Sequence, residues 1–420
     1  MNFQRLLSGL ALFALTASAT ASPAFEGLGK DDWPWWRGPN HNGIAAAGQE
    51  PPIKWGKNQN IVWKAPVPGR GHASPTVVGA RIYLPTADEK SQTQSVLCLE
   101  RDTGKLVWRS DLHQGSFNKE RQKHATWASP SVACDGERLF VNLYNRDAIH
   151  TYALDLQGKK LWETKVADFV SHQGYGASPV IHKSLVLVTA DTKAPGGGAL
   201  AGLDRKTGRI VWRVGRPELP NYPSPVVFHL DGKDQMIVTG CDLISSFDPM
   251  TGKKLWEFEG ATTECVVTTV TDGTRIFTGG GYPKNHTMAM RADGSGKVDW
   301  VNKQRVYVPS MIVKGGHLFA VADQGFAICW DSATGEEKWR ERLGGQFFAS
   351  PIMVGDLIYA TSVSGATHVF KATPGEYRHL AKNQLSDQVY ASPVICGNRI
   401  YLRVAEQGDT RREFLYCIGK

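Results

Sequence analysis

No two of the chain's cysteines are adjacent and none form a Cys-x-x-Cys, so their spacing nominates no disulfide. No long polar low-complexity tract is present, which excludes a largely disordered chain. After Leu15 no apolar run is long enough to cross a bilayer as a helix. Gly-x-Ser-x-Gly is absent, so the nucleophile elbow of a serine hydrolase is excluded. Ala292-Asp293-Gly294-Ser295-Gly296-Lys297 superficially looks like a phosphate loop, but it lacks the full spacing and no helix pattern follows. Dense runs of cations are missing too. The formal charge of +8 comes from scattered residues and short clusters such as Lys119/Arg121/Lys123 and Arg205/Lys206/Arg209, which read as a solvated surface.

What the chain does have is glycine, aromatic residues and repetition. Its 420 residues include 44 Gly and 22 Pro, the composition of a turn-rich globular protein able to bury a large core. Arg5, the apolar stretch Leu6 to Leu15 and Ala19-Thr20-Ala21 read as a secretory signal over residues 1–21. No Cys follows that stretch, so a lipid-anchored terminus is not expected. The expected location is therefore the periplasm or the extracellular space. Export also argues against a nucleic-acid partner. Residues 22–59, with Asp32-Trp33-Pro34-Trp35-Trp36-Arg37-Gly38-Pro39-Asn40, form a Trp- and Pro-rich extension expected to pack across a face or rim of the domain.

From residue 60 two markers alternate. The first is Asp204-Arg205-Lys206-Thr207-Gly208 with Trp212, echoed by Glu100 to Gly104 with Trp108, Asp248 to Gly252 with Trp256, and Asp331 to Gly335 with Trp339. Looser copies pair Gly158 with Trp162 and Gly296 with Trp300; in every copy the Trp lies four residues after the Gly. The second marker is a Ser-Pro strand start: Ser74-Pro75, Ser129-Pro130, Ser178-Pro179, Ser224-Pro225, Ser350-Pro351 and Ser392-Pro393. Ser310-Met311 and Val266-Val267 are weaker copies. In five units a large residue follows the Ser by nine positions (Tyr83, Leu187, Phe319, Tyr359, Tyr401), with a hairpin turn between.

Each unit thus holds four short strands: the Ser-Pro strand, its hairpin partner, a strand ending in the Asp, and one carrying the Trp. Repeated four-stranded units of this length are the sign of a β-propeller. The Asp accepts from turn amides and the Gly takes a positive φ. The Trp packs between blades, a structural role expected for Trp63, Trp108, Trp162, Trp212, Trp256, Trp300 and Trp339. Cys98, Cys329 and Cys417 share one repeat position with Ala153, Gly202 and Ser246, and read as small buried residues.

The eighth unit runs out at Lys420 just where its last strand is due. Asn60-Ile61-Val62-Trp63-Lys64 supplies the missing strand from the other end of the chain. The expected fold is all-β, an eight-bladed propeller over 60–420 closed by an N-terminal strand. Unit seven, where Gly375 is followed four later by His379, is the degenerate blade. A seven-bladed ring with units five and six paired differently is the alternative.

The repeated Asp-x-x-Thr-Gly-x-x-x-Trp and Ser-Pro strands resemble the pyrroloquinoline-quinone-type β-propeller repeat across about residues 60–420. The segment Trp35-Trp36-Arg37-Gly38-Pro39-Asn40 with Asn42-Gly43 is similar to the leader of exported bacterial members. The resemblance implies two functions: quinoprotein alcohol or sugar dehydrogenases, and the non-enzymatic propeller subunit of the outer-membrane β-barrel assembly machinery. The alcohol-oxidising dehydrogenases carry adjacent cysteines by the quinone, and all need a Glu, Asn and Asp calcium cluster with a catalytic Asp. No such cluster assembles from this sequence. The assembly subunit is closer in size, although it is a lipoprotein.

Function is expected where the repeats differ. Two positions before each marker Ser stand His72, Trp127, Gly176, Tyr222, Glu264, Val308, Phe348 and Tyr390; one step earlier stand Thr126, Tyr175, Asn221, Thr263, Tyr307 and Phe347. The expected channel-mouth binding ring is His72, Trp127, Tyr175, Tyr222, Glu264, Tyr307, Phe348 and Tyr390. His124 and His172 precede Ser-Pro strands and are expected to approach that mouth, but two histidines are too few for a metal site. No catalytic, cofactor or metal residue is assigned. The reading is an exported monomeric scaffold that binds a protein partner in the cell envelope. A small quinone-dependent oxidoreductase, using the quinone with Ca²⁺, is the rival, and a carbohydrate-binding module the third alternative.

Overall fold

The computed structural model describes residues 25–117 and 125–420. The expected signal segment, His124 and the Lys119/Arg121/Lys123 cluster lie outside the described residues. Eight four-stranded antiparallel sheets follow one another around a ring, seven of them with strands a to d in consecutive chain order from the axis outward. Blade one runs from Thr76–Val78 to Leu106–Gln114, blade two from Ala133–Cys134 to Lys160–Asp168, and blade three from Val180–His182 to Ile210–Gly215. Blades four to seven begin at Val226–Leu230, Val270–Thr271, Ile312–Lys314 and Ile352–Val354. No described helix is long and apolar enough to cross a membrane.

Blade eight is built from both ends of the chain. Its inner strands are Val394–Cys396, Arg399–Glu406 and Arg412–Ile418, and its outer strand is Ile61–Val67, with Trp63 opposite Cys417 and Lys64 opposite Tyr416. Units five and six form separate blades, so the ring has eight. Closure in this manner covers what would otherwise be the open edge of the last sheet.

The repeat residues form a lock between neighbours. The indole N–H of Trp63 donates to the Arg101 carbonyl at 3.0 Å, that of Trp108 to Leu156 at 3.0 Å, and that of Trp212 to Pro249 at 3.2 Å, each in the next blade's c–d turn. Trp300 and Trp339 do the same with Ser332 and Thr373. Trp256 departs, donating instead to the Gln235 side chain. Inside its own blade each Trp faces a small residue across the strand pair: Cys98 faces Trp108, Ala153 faces Trp162, Gly202 faces Trp212 and Cys329 faces Trp339. A β-bulge beside each of these pairs turns the Trp toward the next blade. The residue just before the Trp is thrown outward, which is why Val107, Leu161 and Val211 are exposed.

Blade seven reverses the sizes. Val369 faces Ala381 there, so Ala381 occupies the Trp position and not His379, because the turn is two residues longer. Tyr377, from that longer turn, packs edge-on against Trp339 of blade six at 5.5 Å. All seven cysteines are buried and free, and burial raises their thiol pKa values.

Candidate functional site

The a–b hairpins and c–d turns lie at one end of the ring, and the b–c loops and blade-to-blade crossings at the other. At the crossing end the channel widens into a cavity of about 790 Å³. Its walls start from a belt of hydroxyls. The backbone N–H of Ser131 donates to Ser178 Oγ at 2.9 Å, and that of Ser178 to Ser224 Oγ at 2.9 Å. Thr268 donates to Ser310, Ser310 to Ser350, Ser350 to Ser392, and Ser392 to Ser74, at 2.8–3.0 Å. The belt hydroxyl therefore ties six of the inner strands to the preceding one, satisfying a buried amide at the axis each time, and between blades one and two Ser131 Oγ donates to the Ser74 carbonyl at 3.1 Å instead.

This belt corrects the expected register in two blades. In blade two the belt residue is Ser131 and not Ser129; in blade five it is Thr268 and not Val266. The ladder explains both, since Ala133 pairs with Phe140 and Val270 with Phe277 as Thr76 pairs with Tyr83 in blade one. Ser129 and Val266 consequently face the cavity, while Trp127 and Glu264 do not line it. Trp127 is buried at the side, stacked between Phe117 at 4.4 Å and Tyr144 at 5.4 Å. Glu264 lies behind the wall, accepting from the Tyr307 hydroxyl at 3.0 Å with His172 Nε2 3.5 Å away. The nine-residue spacing from belt residue to large residue, Ser131 to Phe140 and Thr268 to Phe277, was the sequence signal for both.

His72, Tyr175, Tyr222, Tyr307, Phe348 and Tyr390 do line the cavity. They divide it into two arcs. Phe348, Tyr390 and His72, from blades seven, eight and one, form a continuous stack with centroid separations of 5.8 and 4.2 Å. The rest of the wall carries polar groups: Gln173, Tyr222, Arg305, Tyr307, Gln324 and Gln346. Arg305 donates through Nη1 to the Gly281 carbonyl at 2.8 Å and its guanidinium covers the Tyr307 ring at 4.6 Å. Burial and the nearby Glu264 charge raise the pKa of the Tyr222 hydroxyl in that wall.

The floor comes from the N-terminal extension, which sequence reasoning placed across a face without seeing that it enters the channel. Trp33 bridges to Val77 in blade one, the Pro34 carbonyl accepts from Cys134 N–H in blade two, and Ile44 bridges to Met353 in blade seven. Between these anchors Trp36 enters the channel and donates its indole N–H to Thr268 Oγ1 at 2.8 Å. Beneath it the buried Arg37 guanidinium donates to the carbonyls of Met311, Pro351 (2.9 Å) and Asn42 (2.9 Å). No carboxylate is among its partners. Burial lowers the Arg37 pKa to about 9, so the group is still a cation at neutral pH.

A quinone held through Ca²⁺ needs several hard oxygens converging on one point. Asp323 is the carboxylate in the wall, and both its oxygens already accept backbone N–H groups, from Tyr307 at 2.8 Å and Val308 at 3.1 Å. Burial raises its pKa, which disfavours the charged form a metal requires. Among the described residues no three His, Cys, Asp or Glu side chains gather as a metal cluster. The donors present do not fit the calcium-bound quinone.

These features define a class: a closed eight-bladed propeller of quinone-type repeats whose channel is a cup, floored at one end. A family model described as "Outer membrane protein assembly factor BamB" matches residues 92–341 and 241–409, and the chain belongs to that family. Curated proteins give no match by sequence. Among solved structures, BamB from Moraxella catarrhalis is similar at 15% identity and a TM-score of 0.61, covering 85% of this chain and 99% of its own. Quinohemoprotein alcohol dehydrogenase from Comamonas testosteroni is 13% identical with a TM-score of 0.65, covering 94% and 82%. A computationally designed protein, Ika8, reaches 0.60 at 13% identity, covering 85% and 99%. At such identities the likeness is one of fold, and a fold shared by an assembly factor, a dehydrogenase and a designed protein decides no activity.

Proposed function

We propose that this chain is an exported, non-catalytic binding propeller that acts as a protein-interaction scaffold in the cell envelope. The observation that carries the reading is the donor set of the cup: aromatic rings, carboxamides and one wall arginine, with its wall carboxylate spent on backbone amides. Such a lining suits recognition better than redox chemistry. Membership of the assembly-factor family supports a protein partner. The crossings and b–c loops around the open end supply the variable surface on which such a partner would dock.

Adding pyrroloquinoline quinone with Ca²⁺ to the purified chain is expected to give no stoichiometric absorbance change and no thermal stabilisation. In parallel, a photo-crosslinking residue at Tyr282, exposed beside the open end, should capture one defined protein from envelope extracts, whereas the same group at Val107 on the outer strand should not. Stoichiometric quinone binding would replace this reading with the oxidoreductase. Equal capture from both positions would remove the assignment of the open end.

A further inference from the structure

We propose that the cup is a binding site for an acidic saccharide, a pyranose unit bearing a carboxylate, whether or not a protein also docks on the rim. Three independent features of the cavity converge on that chemistry.

The first is the aromatic arc. The stack of Phe348, Tyr390 and His72 gives one side of the cup an apolar surface. The C–H face of a sugar ring can lie against such a surface and displace water from it.

Elsewhere in the wall the polar groups are of the kind that both donate and accept. The carboxamides of Gln173, Gln324 and Gln346 make no hydrogen bond among the described residues. Each carries two donors and an acceptor oxygen, the complement of a ring of sugar hydroxyls. Tyr222 adds a hydroxyl to the same wall. A flat aromatic acid would leave most of these groups unanswered.

Charge is the third. Arg305 stands in the wall with one of its five N–H donors given to Gly281. Arg37 lies directly under the floor, buried and bonded to three carbonyls but to no carboxylate. A cation in a low-dielectric wall biases the concave space above it toward an anion. The wall acid that opposes this, Asp323, is bound to two backbone amides. The two arginines thus favour a carboxylate, and the carboxamides and rings favour a sugar to carry it.

Calorimetry on the purified full chain with trigalacturonate, its neutral counterpart galactotriose and benzoate tests all three elements. Trigalacturonate should bind with a Kd below about 1 mM and galactotriose about tenfold more weakly, the difference expected for one charge-assisted contact. Arg305→Gln should abolish the acid-to-neutral ratio without moving the thermal midpoint. Gln346→Ala should weaken both sugars by a similar factor and leave the ratio intact. Benzoate binding as tightly as trigalacturonate would overturn the saccharide, and an unchanged ratio in Arg305→Gln would overturn the charge assignment. Absence of any binding at millimolar concentration would overturn the proposal while leaving partner capture at Tyr282 unaffected.

Discussion

At the scale of single residues, the Asp-x-x-Thr-Gly turn proves to serve two masters. Asp204 Oδ1 accepts from the amides of Lys206 and Thr207 and from the Thr207 hydroxyl, holding the turn and lowering the Asp pKa. The glycine has a second duty, toward the preceding blade. A Cβ on Gly252 would stand 2.5 Å from the Trp212 ring. Gly232, in the same blade, has the same φ of +70° with nothing within 4 Å of a Cβ. Gly232→Ala should therefore cost only the left-handed backbone penalty, about 1–2 kcal/mol. Gly252→Ala should cost a further 1–3 kcal/mol or so, because the indole has to move. Urea unfolding of the two variants measures the difference, and equal losses would mean the glycine serves the turn alone.

At the scale of elements, the outer strand Ile61–Val67 decides whether the ring is closed. Its Trp63 reaches across to Arg101 of blade one while its backbone completes blade eight, so one strand joins both neighbours. Trp63→Ala should lower stability by about 3–5 kcal/mol, the usual loss for a large aromatic. Val62→Asp, at the outward, exposed residue beside it, should change stability by less than about 0.5 kcal/mol. Denaturant midpoints at unchanged slope test this pair. A small effect of Trp63→Ala would mean that backbone pairing alone closes the ring. Blade seven shows the same rule inverted: with Val369 on the third strand the opposing place can hold only Ala381, and Tyr377 takes over the contact with Trp339.

At the scale of the whole molecule, burial of histidine makes stability depend on pH. His41, His150, His286 and His368 are each held at a pKa of about 4, in every case chiefly by desolvation. Unfolded histidines titrate near 6.5. Between these values the unfolded chain binds more protons than the folded one. Stability is thus full above about pH 6.5 and is lost as the pH falls toward 4, by on the order of 1–3 kcal/mol per histidine. His286 is the sharpest case, since neither ring nitrogen has a hydrogen-bond partner in the protein. Thermal midpoints recorded from pH 7 to 4.5 should fall, and His286→Leu should flatten the slope. A variant whose midpoint follows the parent at every pH would exclude His286 as a contributor.

The sequence by itself determined the fold: the period of the turn and Trp markers counts blades, and the Trp63 echo supplies the strand that the last blade lacks. Those are local patterns, written in contiguous residues, and strand alternation and turn chemistry read them directly. Six members of the candidate ring, His72, Tyr175, Tyr222, Tyr307, Phe348 and Tyr390, were also legible, because in their blades the Ser-based frame sets the register. Trp127 and Glu264 were displaced because two blades slip that frame by two residues, and hydrogen-bond register is a property of the paired strands rather than of the Ser-Pro string. Tertiary structure alone decided the cup. Trp36 becomes its floor through Thr268, more than two hundred residues away in sequence, and Arg37 becomes an uncompensated cation only because the ring closes around it. Burial, and the electrostatic character that follows from it, exist only once distant segments have packed.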